Sequence, residues 1–112
     1  MDALSSPDLN LILHQPVRTR IVAYLAARGE TTFNELKKAL DITDGNLDSH
    51  MKKLINAAYI DARKQPATKG KQQTLYCLSE LGMREFEHYI ESLKRLLSPQ
   101  FIQPVGEKTG KS

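Results

Sequence analysis

The feature that most constrains this 112-residue chain is a pair of short amphipathic segments held only three residues apart. In FNELKKAL, Phe33, Leu36, Ala39 and Leu40 share one side of a helix, and Thr31 or Thr32 can cap its start. In DGNLDSHMKKLINAAY, Leu47, Met51, Leu54, Ile55 and Ala58 make a single apolar stripe, with Thr43 as the N-cap. Asp41-Ile42-Thr43 can only be a tight connection between them. Two short helices and a three-residue turn form a helix-turn-helix pattern.

The rest of the chain wraps this pair. Ser6-Pro7-Asp8 followed by Leu9, Ile12 and Leu13 predicts a short opening helix, which Gln15-Pro16 breaks. Pro16 then begins PVRTRIVAYLAARG, in which Val17, Ile21, Tyr24, Leu25 and Arg28 recur at helical spacing until Gly29 stops it. Glu30-Thr31-Thr32 has room only for an edge strand. After Ala58 the period falls to two, and YIDARKQ and TLYCLS flank the polar run PATKGKQQ as a β-hairpin. Ser79 caps a last helix with Met83, Phe86, Ile90, Leu93 and Leu97 at spacings of 3 and 4, and Ser98-Pro99 ends it. The expected architecture is mainly α with a small antiparallel hairpin (α+β): one domain over residues 1–98 and a flexible tail over 99–112.

Sixteen Lys and Arg against thirteen Asp and Glu give a net charge of +3, which permits an anionic partner without requiring one. The excess sits in residues 41–73, where six basic residues face four acidic ones. Apolar runs fall far short of the roughly 20 residues of a bilayer span. The start, MDALSSPDLN, has acids in place of the basic start of a secretory leader, so a cytoplasmic location is expected. Cys77 reads as a buried small hydrophobe in LYCL, and no CxxC or Cys/His pairing offers a metal site. With no Gly-rich phosphate loop and no His beside a candidate nucleophile, the chain is read as a non-enzyme without a cofactor.

The segments HQPVRTRIVAYL, LDITDGNLDSHMKKLINAAYI and TLYCLSELG, with the acidic-basic last helix, resemble winged-helix transcriptional regulators of the MarR/ArsR type. The likeness spans about residues 9–97, and its most specific part is T-D-G-N-L-x-x-H-x-x-x-L-x-x-A-x-Y-I. The resemblance implies a winged helix-turn-helix with flanking N- and C-terminal helices, binding specific double-stranded DNA as a homodimeric repressor. Ser49 stands where many ArsR-type relatives carry an arginine.

Rotating the third helix by about 100° per residue sets Gly45, Asn46, Ser49, Lys52, Lys53 and Asn56 opposite the apolar stripe. The N-terminal part of such a helix enters the major groove, so Asn46, Ser49 and Lys53 are the expected base readers, flanked by Gly45, Lys52 and Asn56. Gly45, at ~1 kcal/mol below alanine in helix propensity, suits a close approach of DNA or of a neighbouring helix. Asp44 complements the helix dipole, with a cytosine amine as its other option. His50, at the border of the stripe, reads as a packing residue, with a base or phosphate contact as the alternative. At the hairpin tip, Arg63, Lys64, Lys69 and Lys71 make a cationic wing for phosphates or the minor groove; Gly70 permits the turn and Pro66 opposes pairing. Arg18, Thr32, Asn34 and Lys37 are secondary phosphate candidates.

One domain covers only one half-site, so a partner surface is needed. The last helix is apolar over more than one stripe, and the expected dimer interface is Leu9, Ile12, Leu13, Phe86, Tyr89, Ile90, Leu93 and Leu97; the alternative is that this helix covers the sheet. A protein-binding adaptor and a metal-responsive repressor also stay open. For the latter, His88 and Glu91 share a face at i, i+3, while His14, His50 and Cys77 stand apart. A small-molecule effector between the terminal helices and the DNA-reading core is open as well.

Overall fold

The computed structural model describes residues 9–66 and 70–98. Four helices and one hairpin follow in order: α1 (Pro16–Arg28), α2 (Phe33–Leu40), α3 (Asp44–Asn56), β1 (Ile60–Pro66), β2 (Gln72–Leu78) and α4 (Glu80–Leu96). Each helix begins where a side chain can satisfy its free N–H groups. Gln15 accepts from the Arg18 amide ahead of Pro16, and Thr43 and Ser79 accept from the amides of Asn46 and Gly82. Thr32 forms a full capping box with Glu35, whose carboxyl accepts from the Thr32 amide at 3.1 Å. That backbone donor and the Thr31 hydroxyl hold the Glu35 carboxyl below its ordinary value.

One apolar cluster joins the elements: Leu13, Ile21, Val22, Leu25, Leu36, Leu40, Leu47, Met51, Leu54, Ile60 and Tyr89. The strands pair antiparallel from Ile60 opposite Leu78 to Pro66 opposite Gln72. Pro66 therefore ends the strand without preventing its pairing, because a terminal strand position can do without the missing N–H. Thr31 and Tyr76 exchange both backbone bonds, at 3.0 and 2.8 Å, so the expected edge strand is reduced to a single bridge.

The opening helix is a second correction. No helix forms over residues 9–15; turns and bends run over 11–15, and the Asn10 side chain accepts from the amides of Ile12 and Leu13 at 2.8 and 3.1 Å. An asparagine bonded to its own following backbone competes with helix there. Ser6-Pro7-Asp8 and the tail 99–112 lie outside the described residues. At the other end of α3, Ala58 is not part of the helix but sits at φ 66°, and Ile55 is 37% exposed. Ala39 is likewise on the surface.

Helix α4 docks through two small residues and a tyrosine. Its buried positions are Gly82, Tyr89 and Ser92, while Met83, Phe86, Ile90 and Leu93 are only half-buried and Leu97 is 65% exposed. A Cβ on Gly82 would stand 2.1 Å from the Tyr59 carbonyl oxygen, so this glycine sets how closely α4 meets the chain entering β1.

Candidate nucleic-acid interface

The turn Asp41-Ile42-Thr43 projects α3 across the molecule, and two devices fix its angle. Asp41 takes a left-handed conformation at φ 56° and closes α2 by donating to the Lys37 carbonyl. Lys37 then bridges to Asp44 at 2.8 Å, tying the end of one helix to the start of the next. Lys37 is thereby engaged within the fold, and Asp44 has an internal cation as its partner.

With Leu47, Met51 and Leu54 buried, the whole opposite side of α3 faces solvent: Gly45, Asn46, Ser49, Lys52, Lys53 and Asn56 are all exposed. Nothing lies within 4 Å of a Cβ built on Gly45, so no neighbouring helix accounts for that glycine. Lys52 pairs with Asp48 at 3.2 Å. The Lys53 side chain forms no hydrogen bond or ion pair among the described residues, which leaves its charge available.

His50 is neither buried nor a simple packing residue. Its Nδ1 lies 3.1 Å from Nη1 of Arg18, while Nε of Arg18 donates to the Ile12 carbonyl at 2.6 Å. The half-buried Arg18 thus joins the N-terminal turns to α3 and has spent two of its donors. Desolvation, then the charges of Arg18 and Lys53, hold the His50 imidazole below its ordinary value.

The hairpin flanks the other edge of α3. Lys64 and Lys71 are exposed without ion pairs among the described residues, and Gly70 turns at φ 75°; Lys69 lies outside those residues. Arg63 is bound back to Glu30 at 2.7 Å and to Gln65 at 3.1 Å, so it braces the hairpin base and is not a free tip charge. Thr32 and Asn34, from the start of α2, line an open polar cavity of about 310 Å³ with Gln72, Gln73, Thr74 and Tyr76. Thr32 already caps its own helix.

Around α4 and the N-terminal turns, Leu13 is fully buried and Tyr89 is 4% exposed within one chain, so neither offers area to a partner. Leu9, Ile12, Phe86 and Leu93 pack half-buried against the same core. The apolar area left open there comes from Ile90, Leu97 and Leu11, the last 78% exposed. Asn10, absent from the sequence-based candidates, staples this corner, donating to the Tyr59 hydroxyl at 2.8 Å and to Glu85 at 3.3 Å. A polar residue just ahead of three apolar ones was its only signal.

Among the described residues no three His, Cys, Asp or Glu side chains come together as a metal site, and Glu91 pairs with Lys94 at 3.5 Å. The half-buried Cys77 thiol is pushed up by desolvation and by Asp61 and Glu30. Among the described residues no helix is long and apolar enough to cross a membrane.

Residues 17–97 match a family model described as winged helix DNA-binding domain. An uncharacterized protein of Methanocaldococcus jannaschii is 34% identical over 85 residues, 76% of this chain and 91% of that protein. The solved structure of a transcriptional regulator homologue from Pyrococcus horikoshii OT3 is similar with a TM-score of 0.74 at 31% identity, over 83% of this chain and 91% of that one. PadR of Bacillus subtilis, solved in complex with operator DNA, shares the fold with a TM-score of 0.59 at 15% identity, over 68% of this chain and 47% of PadR.

Proposed function

This chain belongs to the winged helix DNA-binding domain family, and from that premise we propose that it is a sequence-specific regulator of transcription that binds duplex DNA as a homodimer and represses. The observation that carries this reading is the side of α3 formed by Gly45, Asn46, Ser49, Lys52, Lys53 and Asn56, which no other element covers. Asn46 and Ser49 carry short hydrogen-bonding side chains that match base edges, and Lys53 reaches guanine or phosphate. Gly45 leaves room for the DNA backbone to come close to the first turn of α3. Lys64 and Lys71, with Lys69 between the strands, supply phosphate contacts that fix position and add affinity without reading sequence.

Pairing follows from geometry and from the surface of α4. Two recognition helices about 34–36 Å apart meet successive turns of the groove. Met83, Ile90 and the C-cap Leu97 repeat every seven residues from α4 to its end and stay partly open, while the smaller Gly82 and Ser92 face the core. An apolar stripe left outside a finished core is what a two-fold partner would cover.

The test is fluorescence anisotropy on the duplex upstream of the chain's own gene and on a scrambled duplex, each across a salt series. The reading expects tighter binding to the upstream duplex and an affinity that falls as salt rises. Ser49→Ala or Asn46→Ala should change sequence preference, whereas Lys64→Ala with Lys71→Ala should weaken both duplexes alike and flatten the salt slope by about 2. Absence of binding to either duplex at low salt would favour a protein-binding adaptor.

A further inference from the structure

On α3, Asn46, His50 and Lys53 are spaced 4 and 3 residues apart and so follow one edge of the helix, the edge turned toward the start of α1. From α1, Arg18 meets this edge at His50. A guanidinium carries only donors and stays charged, so Nδ1 of His50 must accept, which leaves the ring neutral with its proton on Nε2. Nε2 has no partner among the described residues, and the ring is half-exposed. Arg18 is itself held by the Ile12 carbonyl at 2.6 Å, so it orients the ring from a fixed point.

We propose that Arg18 is a positioning residue that sets His50 to donate its Nε2–H to a DNA backbone phosphate beside the recognition helix, as an uncharged contact next to the charged one from Lys53. This rests on the regulator reading above. The charges acting on His50 are Arg18 from α1 and Lys53 one turn along its own helix, and no acid is among them. Both favour an anion at this edge, and they add to the desolvation that chiefly holds the imidazole below its ordinary value. A neutral donor releases no counterion of its own, so its loss lowers affinity and leaves the salt slope alone. The apolar stripe lies to one side of His50 and the base-reading face to the other, so its reach is to the backbone.

The test compares wild type, His50→Ala, His50→Gln and Lys53→Ala on the upstream and scrambled duplexes over a salt series, with thermal unfolding of each variant. His50→Ala is expected to weaken both duplexes by about tenfold with an unchanged salt slope. His50→Gln, whose amide can both accept from Arg18 and donate outward, should stay within about threefold of wild type, and Lys53→Ala should flatten the slope by about 0.9. In ¹⁵N-labelled protein at neutral pH, the His50 ring should remain neutral in the complex, with its Nε2 proton slowed in exchange by DNA. An indifferent His50→Ala on a wild type that binds overturns this inference alone. So does a slope that falls as in Lys53→Ala, which means a charged imidazole, or an effect confined to the upstream duplex, which means base reading. A wild type that binds neither duplex overturns the regulator reading and this inference with it.

Discussion

Ala58 shows what a single backbone angle costs. An L-residue at φ 66° pays roughly 1–2 kcal/mol for the left-handed conformation, and glycine there would return about 0.4–1 kcal/mol of that through the looser unfolded chain. Ala58→Gly should therefore raise stability by about 0.5–1 kcal/mol, read as a higher urea midpoint with an unchanged slope. His50 gives a pH dependence. Because desolvation, Arg18 and Lys53 hold the folded imidazole below its ordinary value of 6.5, the unfolded chain binds the proton more readily. The stability this group contributes is full above pH 6.5 and is lost as pH falls from there through the folded value. His50→Gln should flatten that acid limb of a thermal-melt series relative to wild type. Both effects lie in local geometry that letters alone do not carry: Ala58 is an ordinary stripe residue by spacing, and His50 sits at the border of that stripe without naming Arg18 as its partner.

The elements were largely legible because their signals are local. Thr32, Thr43, Ser79 and Gly29 mark helix ends through bonds to backbone only a few residues away, Pro16 marks one through its fixed φ, and all act where expected. The opening turns were misread because the side chain of Asn10 bonds to the Ile12 and Leu13 amides, an interaction that apolar spacing does not reveal. The burial of Tyr89 on α4 was missed for a related reason. The helix's apolar stripe reads as a partner surface, yet Tyr89 from that stripe is buried within the chain together with Gly82 and Ser92, and at Gly82 the Tyr59 carbonyl leaves no room for a side chain. Gly82→Ala should destabilise by about 1–3 kcal/mol, an overpacking cost against unyielding backbone, measured by chemical denaturation. The hairpin, by contrast, is braced at the surface. Arg63 and Glu30 are 54% and 43% exposed, so severing their bridge should cost under about 1 kcal/mol.

At the scale of the whole molecule, the exposed side of α3 and the apolar remainder of α4 are different surfaces, as the proposed reading requires of a domain that both pairs and reads DNA. In the proposed dimer, Leu97→Lys should weaken self-association at least about tenfold, since a charge would replace an exposed apolar contact. Sedimentation would show the shift toward monomer, with the thermal midpoint of the monomer unchanged, and affinity for the upstream duplex should fall with it. A monomeric wild type at tens of micromolar would sink the paired reading while leaving α3 and its face intact.

Read by itself, the sequence determined the order of the helices and the hairpin, their caps, and the polar face of α3, because periodicity and capping act over three or four residues. Only the tertiary structure decided which cations are free. Lys37, Arg18 and Arg63 are spent on Asp44, on His50 with Ile12, and on Glu30, whereas Lys53, Lys64 and Lys71 are not, among the described residues. It likewise removed Leu13 and Tyr89 from the partner surface by burying them in one chain. Charge pairing and burial depend on side chains brought together from distant parts of the chain, and no local pattern encodes which of them will meet.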